Sequence, residues 1–241
     1  MLRTIDIRPA SDRYPTTSEW LDSRHSFSFG PHQEPSNNGH GLLIVSNDDR
    51  VAPGGGFGIH GHRDMEIVTW VLSGGLEHQD STGNQGVLYP GLAQRMSAGF
   101  GIQHSEMNAS KTEPVHFMQM WVPPDTASLT PGYEQRDMNG LLAAGGLVAV
   151  ASGKGHPDAI IIHQRDAAMH VARLTNGETV TVPDAPFVHV FVAHGTIELG
   201  DDPRPLTQGD AARLTDAGRV TITSDGASEV IVWESDKEVQ R

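Results

Sequence analysis

The stretch Phe57-Gly58-Ile59-His60-Gly61-His62-Arg63-Asp64-Met65-Glu66-Ile67, running on into Val68-Thr69-Trp70-Val71-Leu72, decides the reading of this chain. Its second part is rich in β-branched and aromatic residues and predicts a strand, with the two histidines at its head. Successive side chains of a strand point to opposite faces, so His60 and His62 share one face, about 6.6 Å apart. Both imidazoles can therefore converge on one metal ion. His104-Ser105-Glu106 repeats the alternation further along. Three nitrogens and one carboxylate oxygen make a transition-metal site. Glu66 shares the parity of His60 and His62, as Glu106 shares that of His104, so spacing leaves the choice of carboxylate open.

Working outward, the chain carries a weak internal repeat. Laying Gly58 to His78 over Thr179 to Leu199, a shift of 121 residues, brings Trp70 onto Phe191, Val71 onto Val192, Gly74 onto Gly195, Leu76 onto Ile197 and Glu77 onto Glu198. Each copy then passes through a polar turn to a glycine-led strand, at residues 90–96 and 208–214. This predicts a duplicated β-barrel built from hairpins. The second copy lacks the ligands: His60 falls on Thr181, His62 on Pro183 and Glu66 on Phe187, while Ile222 or Thr223 takes the place of His104. One metal site is expected, with the second barrel structural or a wall for the first.

The division between the halves is expected between Pro123-Pro124 and Gly140, where the chain is polar and Pro131-Gly132 marks a turn. We place it at 130/131, giving a metal-binding N-terminal barrel over 1–130 and a C-terminal barrel over 131–241. Few helices are expected, with one short turn at Asp166-Ala167-Ala168-Met169. The 27 glycines and 15 prolines among 241 residues suit many short strands joined by tight turns.

The formal net charge of −13 is spread over both halves and disfavours direct contact with nucleic acid. There are no cysteines, which excludes disulfides, thiolate ligands and iron–sulfur clusters. The N-terminal Met1-Leu2-Arg3-Thr4-Ile5-Asp6-Ile7-Arg8-Pro9 lacks the apolar run of a signal peptide, and no stretch reaches the roughly 18 apolar residues of a membrane span. A cytoplasmic protein with no membrane association is expected.

The motifs taken in order resemble the pirin family of the cupin superfamily, from about Trp20 to Pro124. They are Arg24-His25-Ser26-Phe27-Ser28-Phe29, His60-Gly61-His62-Arg63-Asp64-Met65-Glu66, His78-Gln79-Asp80-Ser81-Thr82-Gly83, the segment from Met96 to Glu106, and Phe117-Met118-Gln119-Met120-Trp121. The resemblance implies an all-β bicupin, two facing antiparallel β-barrels of the double-stranded β-helix type, with a metal in the N-terminal barrel only. It assigns the ligands as His60, His62, His104 and Glu106. Cupins more widely take their carboxylate from the position of Glu66, which is then the alternative ligand. Pirins commonly carry His-Pro-His where this chain has His60-Gly61-His62; glycine loosens the segment but keeps both imidazoles on one face.

The donor set suits one divalent transition metal. Iron(II) is the expected ion, and zinc, manganese, copper, nickel and cobalt are the alternatives. The resemblance further implies quercetin 2,3-dioxygenase activity, the opening of a flavonol ring with O₂, with Glu106 as the catalytic carboxylate. The small-molecule partners are then a chelating aromatic substrate and O₂. A metal-binding regulatory protein acting through a protein partner is the second reading, and another cupin reaction on a small chelating metabolite the third. Among the other histidines, His78 is expected in packing or facing solvent, and His25 and His116 have no assigned chemistry. His32, His40, His156, His163 and His170 are expected at the surface. Alternation places Phe117, Gln119 and Trp121 on one face, toward the first lumen.

Overall fold

The apolar run after the histidine pair folds as the strand Glu66–Ser73, inside a seven-stranded sheet. The sheet's order is Gly132–Asp137, Leu92–Ser97, Glu66–Ser73, Val115–Val122, Val45–Val51, Leu21–His25 and Tyr14–Thr17. Residues 66–71 are all buried. Both faces are covered, so the strand reads as a continuous apolar run and not as an alternating one. The computed structural model describes residues 4–239; residues 1–3 of the N-terminal stretch read above, and residues 240–241 at the end of the second half, lie outside the described residues.

The histidine pair does not head this strand. It ends a separate one, Gly56–His62, in a four-stranded sheet with Ile102–Asn108, Leu76–Asp80 and Gln85–Leu88. The turn between the two sheets passes through Asp64, at φ 48°, whose side chain accepts a hydrogen bond from the Ser128 amide. The sheets face each other across a cluster that joins Val51, Val71, Val115 and Phe117 to Leu76 and Leu88. The result is the expected all-β cupin fold, its barrel formed as a jelly-roll-like sandwich of two sheets that do not close on each other.

The second half repeats this plan. Its seven-stranded sheet runs Thr4–Arg8, Ala211–Thr215, Phe187–His194, Ser228–Ser235, Ala167–Leu174, Val148–Ser152 and Ile160–Ile161, the last pair parallel. Its four-stranded sheet runs Thr179–Thr181, Thr221–Ser224, Thr196–Leu199 and Asp202–Thr207. The partner row Thr69, Gln119, Asn47 in one half matches Val190, Val232, His170 in the other. Thr69 and Val190 are related by the repeat's own shift.

Register corrects the overlay on the four-stranded sheets. His78 pairs with Glu106, and the matching pair is Leu199 with Ile222. Ile222 therefore stands where Glu106 does, and Val220 where His104 does. Val182, whose amide bonds to the Val220 carbonyl, stands nearest the place of His60, while Thr181 faces out. The overlay slipped because a one-residue shift exchanges the faces of a strand.

Sheet pairing crosses the expected division at 130/131 in both directions. Gly132–Asp137 pairs with Leu92–Ser97 of the first half, and Thr4–Arg8 with Ala211–Thr215 of the second. Each half thus lends an edge strand to the other. The two seven-stranded sheets also pack back to back, with Val68, Trp70, Met118 and Met120 against Met169, Phe191, Ile231 and Trp233. Trp233 Nε1 donates to Met120 Sδ at 3.2 Å. Each such fully buried side chain stabilises the contact by roughly 1.5–3 kcal/mol.

Asp166-Ala167-Ala168-Met169 is not helical: Ala167–Leu174 is a strand, and its alanines are wholly buried between layers. Ladder pairing and burial override the helical preference of alanine there. Among the described residues the helices are a short 3₁₀ turn, Ala10–Asp12, and Asn139–Ala143 in the link between the halves. None is long and apolar enough to cross a membrane.

Candidate metal centre

On the inner face of the four-stranded sheet, His60 pairs directly across from His104, and His62 lies one inward position further along its strand. A bulge between His104 and Glu106 breaks the register on that side. The extra residue is in Gly56–His62 and brings Phe57 opposite Glu106, while on the other side the register is unbroken and sets Glu106 opposite His78. Gly56 lines the bulge closely: a Cβ there would lie 2.5 Å from the Glu106 carbonyl oxygen. Gly61 is under no such pressure, since its Cβ would meet only Ile102 O at 3.6 Å. The departure from His-Pro-His leaves the strand in place.

The three histidine rings converge. Their centroids are 4.9 Å apart for His60 and His62, 4.4 Å for His60 and His104, and 4.9 Å for His62 and His104. One ring nitrogen from each lies within 4.8 Å of the others, and the same holds for His78, His104 and Glu106. His60 Nδ1–H donates to the Gly58 carbonyl at 2.8 Å. A carbonyl only accepts, so this bond leaves Nε2 of His60 as the free donor atom.

The remaining donors are buried and unpaired. His62 Nε2, both nitrogens of His104 and Glu106 Oε1 have no hydrogen-bond partner among the described residues. Leaving polar atoms unpaired in an interior costs about 1–3 kcal/mol each. Unpaired atoms on three side chains, in two donor groups that share His104, fit a cation. Burial pulls His104 down to about 3, with His60 and His62 adding to it, and pulls His62 down to about 4. Both imidazoles are therefore neutral, as ligation requires. Burial pushes Glu106 up to about 7, against a hydrogen bond from Gln119. A nearby cation would reverse that and ionise it.

Glu106 is held from behind. Gln119 Nε2 donates to Glu106 Oε2 at 2.6 Å, and Trp121 Nε1 donates to Gln119 Oε1 at 3.2 Å. The lumen-facing set Phe117, Gln119 and Trp121 thus includes a positioning chain whose far end no local spacing displays. His78 is wholly buried, placing it in packing and not in solvent. Its Nε2 lies 3.2 Å from Asp80 Oδ2 and its Nδ1 3.3 Å from Gln94 Nε2. Burial would raise Asp80, but hydrogen bonds from Asn84, Thr82 and His78 hold it at about 2. The alternation Leu76, His78, Asp80 on one face was the available signal for this group.

Glu66 lies elsewhere. It shares a face with Val68 and Trp70, the back of the sheet that meets the second half. Its Oε2 accepts from Ser97 Oγ at 2.8 Å and from the His163 amide at 3.0 Å. The parity shared with His60 and His62 was broken by the turn through Asp64. The surface expectation also fails in part for the scattered histidines. His170 is buried on a strand covered on both sides. His40 Nε2 bonds the Leu214 carbonyl at 3.0 Å, and exposed His163 anchors Glu66. His25 is buried on Asn47 and Thr16, and His116 pairs with Asp48 at 2.5 Å.

A duplicated jelly-roll with an imidazole-rich lumen in one half defines a two-domain cupin. The chain belongs to the pirin family: the Pirin family model matches residues 8–122, and that of the quercetinase C-terminal cupin domain matches 149–234. It is 37% identical over 231 residues to the quercetin 2,3-dioxygenase of Escherichia coli, covering 95% of this chain and 98% of the relative. A Mycobacterium tuberculosis protein with a provisional quercetin 2,3-dioxygenase name is 56% identical over 237 residues, covering 97% of this chain and 96% of the relative. Among solved structures, YhhW from Escherichia coli superposes with a TM-score of 0.90 at 36% identity, covering 99% of this chain and all of that one. The same bacterial pirin in complex with nickel(II) superposes with a TM-score of 0.89, at 36% identity, covering 98% of this chain and 100% of that one.

Proposed function

We propose that this chain is a metal-dependent dioxygenase acting on a flavonol-like chelating substrate, with quercetin 2,3-dioxygenase activity. His60, His62, His104 and Glu106 would hold the ion, for which iron(II) is our assignment. The observation that carries this reading is the pair of donor groups that share His104, His60–His62–His104 and His78–His104–Glu106, with buried, unpaired atoms on His62, His104 and Glu106. The name of the 37% identical Escherichia coli relative supports the reaction. Bound there, such an ion supplies Lewis-acid and redox chemistry to a chelating oxygen pair.

The protein's own contribution is placement and shielding. His62 packs edge-on to Trp121 at 4.9 Å, Trp121 to Phe29 at 5.6 Å, and Phe29 stacks on His25 at 4.9 Å. This aromatic wall offers flat faces to a planar substrate beside the donor set. Gln119 fixes one oxygen of Glu106 and leaves Oε1 free, to ligate or to take the enol proton of the substrate. Walls of buried apolar residues, Val71, Val115 and Phe117 among them, keep water from the floor of the lumen.

Oxygen uptake by iron-loaded protein with quercetin tests this reading. Uptake is expected for the native chain and absent from His60→Ala and His104→Ala. No uptake, or uptake unchanged in both variants, overturns it; bound metal without uptake would favour the metal-binding regulatory reading.

A further inference from the structure

A second group of ligand-type side chains lies outside the first lumen. His156, His170 and Glu234 each bring a donor atom within 4.8 Å of the others. His156 comes from the loop after Val148–Ser152, His170 from Ala167–Leu174 and Glu234 from Ser228–Ser235. His170 is 5% exposed and Glu234 6%. By register, His170 occupies the place of Asn47 and Glu234 that of Trp121. The group therefore uses positions on the large sheet of the second half, and not those of Leu199, Val220 and Ile222, which stand where the first half has His78, His104 and Glu106.

Its bonding is incomplete. His170 Nε2 lies 3.1 Å from Glu234 Oε1, while His170 Nδ1 is buried with no partner among the described residues. Burial pulls His170 down to about 3, with His156 and Lys154 adding to it, so the contact with Glu234 is not an ion pair. The His156 ring stands edge-on to His170 at 5.3 Å, and its Nδ1 lies 2.7 Å from Ser152 Oγ. Lys154 Nζ lies 2.7 Å from Glu234 Oε2 and 2.7 Å from Asp236 Oδ1.

We propose that His156, His170 and Glu234 form a second, weaker binding site for a divalent ion of borderline softness such as zinc. Two imidazoles and one carboxylate oxygen are a donor set zinc takes, with a fourth position left for water. Glu234 can serve both cations, Oε1 facing the imidazoles and Oε2 remaining with Lys154. The Lys154 ammonium repels a second cation beside it, which makes this site weaker than the first, where no lysine or arginine among the described residues pairs with the donors. Ser152 orients His156, as an outer partner orients a ligating imidazole.

Zinc binding to the full chain, measured by equilibrium dialysis against metal-buffered zinc, tests the proposal. The native chain should bind two equivalents, the second about 10-fold or more weaker than the first. His156→Ala, a change in a half-buried loop residue, should remove the second equivalent and leave the first. His60→Ala/His104→Ala should keep the second and lose the first. Lys154→Met should tighten the second several-fold, which a merely structural His170–Glu234 bond would not do. One equivalent in the native chain up to roughly 100 µM free zinc, or two in His156→Ala, overturns it. If the double variant does not fold, the comparison of native chain with His156→Ala decides alone.

Discussion

Val180, Val182, Val190, Ile197, Leu199, Val220 and Ile222 fill the lumen of the second half. The matching space in the first half holds His60, His62, His78, His104, Glu106 and Gln119. The strand orders correspond, and the partner rows on the large sheets match. The second half shows that this backbone is satisfied by an apolar filling. The polar lumen of the first half is thus not demanded by the fold, and its unpaired atoms weigh against stability. The ion proposed above would reconcile them.

The comparison can be broken most severely by exchanging fillings. His104→Val/Glu106→Ile gives the first half the residues of the second. It should remove the first-site metal completely while the chain still folds, and raise the melting temperature of the metal-free protein, as seen by metal analysis and thermal unfolding. Failure to fold would mean that the halves are not interchangeable. The acid limb should change too. In the metal-free protein burial holds His104 at about 3 and His62 at about 4, below the 6.5 of an ordinary histidine. The unfolded chain then takes up protons first, so the contribution of these histidines is full above about pH 6.5 and drains as pH falls toward 3. Glu106, pushed up to about 7, offsets part of it by stabilising the metal-free fold below that pH. Without His104 that loss should be smaller, and the acid midpoint lower.

The reverse exchange should fail. Ile222→Glu buries a carboxylate where Val232 replaces Gln119 and no imidazole waits, and should cost about 3–5 kcal/mol in denaturant unfolding. An effect below about 1 kcal/mol would show that the second lumen admits polar groups as the first does. Gln119→Leu removes the donor behind Glu106 and should weaken first-site metal affinity about 10–100-fold in competition titrations. Unchanged affinity would leave Gln119 with no part in positioning the carboxylate. The smallest change is expected of Glu66→Gln. It disturbs bonds to Ser97 and His163 at the contact between halves, costs about 1–2 kcal/mol, and leaves metal content unchanged. Loss of metal there would return Glu66 to the ligand set.

Much of this was legible in the sequence because strand alternation is a local code. His60 with His62 and His104 with Glu106 share faces by spacing alone, and the hairpin repeat carried Trp70 onto Phe191 in true register. What failed depended on neighbours distant in the chain. Glu66 obeyed the same parity but lay beyond a turn into another sheet. The repeat slipped by one residue at Thr181, where the short strand Thr179–Thr181 offers little pattern to hold it. The exchange of Thr4–Arg8 for Gly132–Asp137 left no mark, because an edge strand pairs equally well with either half. The alanines of Ala167–Leu174 suggested a turn, since nothing local announces two covering layers. His156, His170 and Glu234 meet only through long-range pairing.

Anomalous X-ray diffraction from crystals of the chain loaded with one equivalent of nickel(II) would locate the ion. One strong peak is expected in the first lumen, within ligand distance of His60, His62, His104 and Glu106. A peak at Glu66, or none in that lumen, would contradict it.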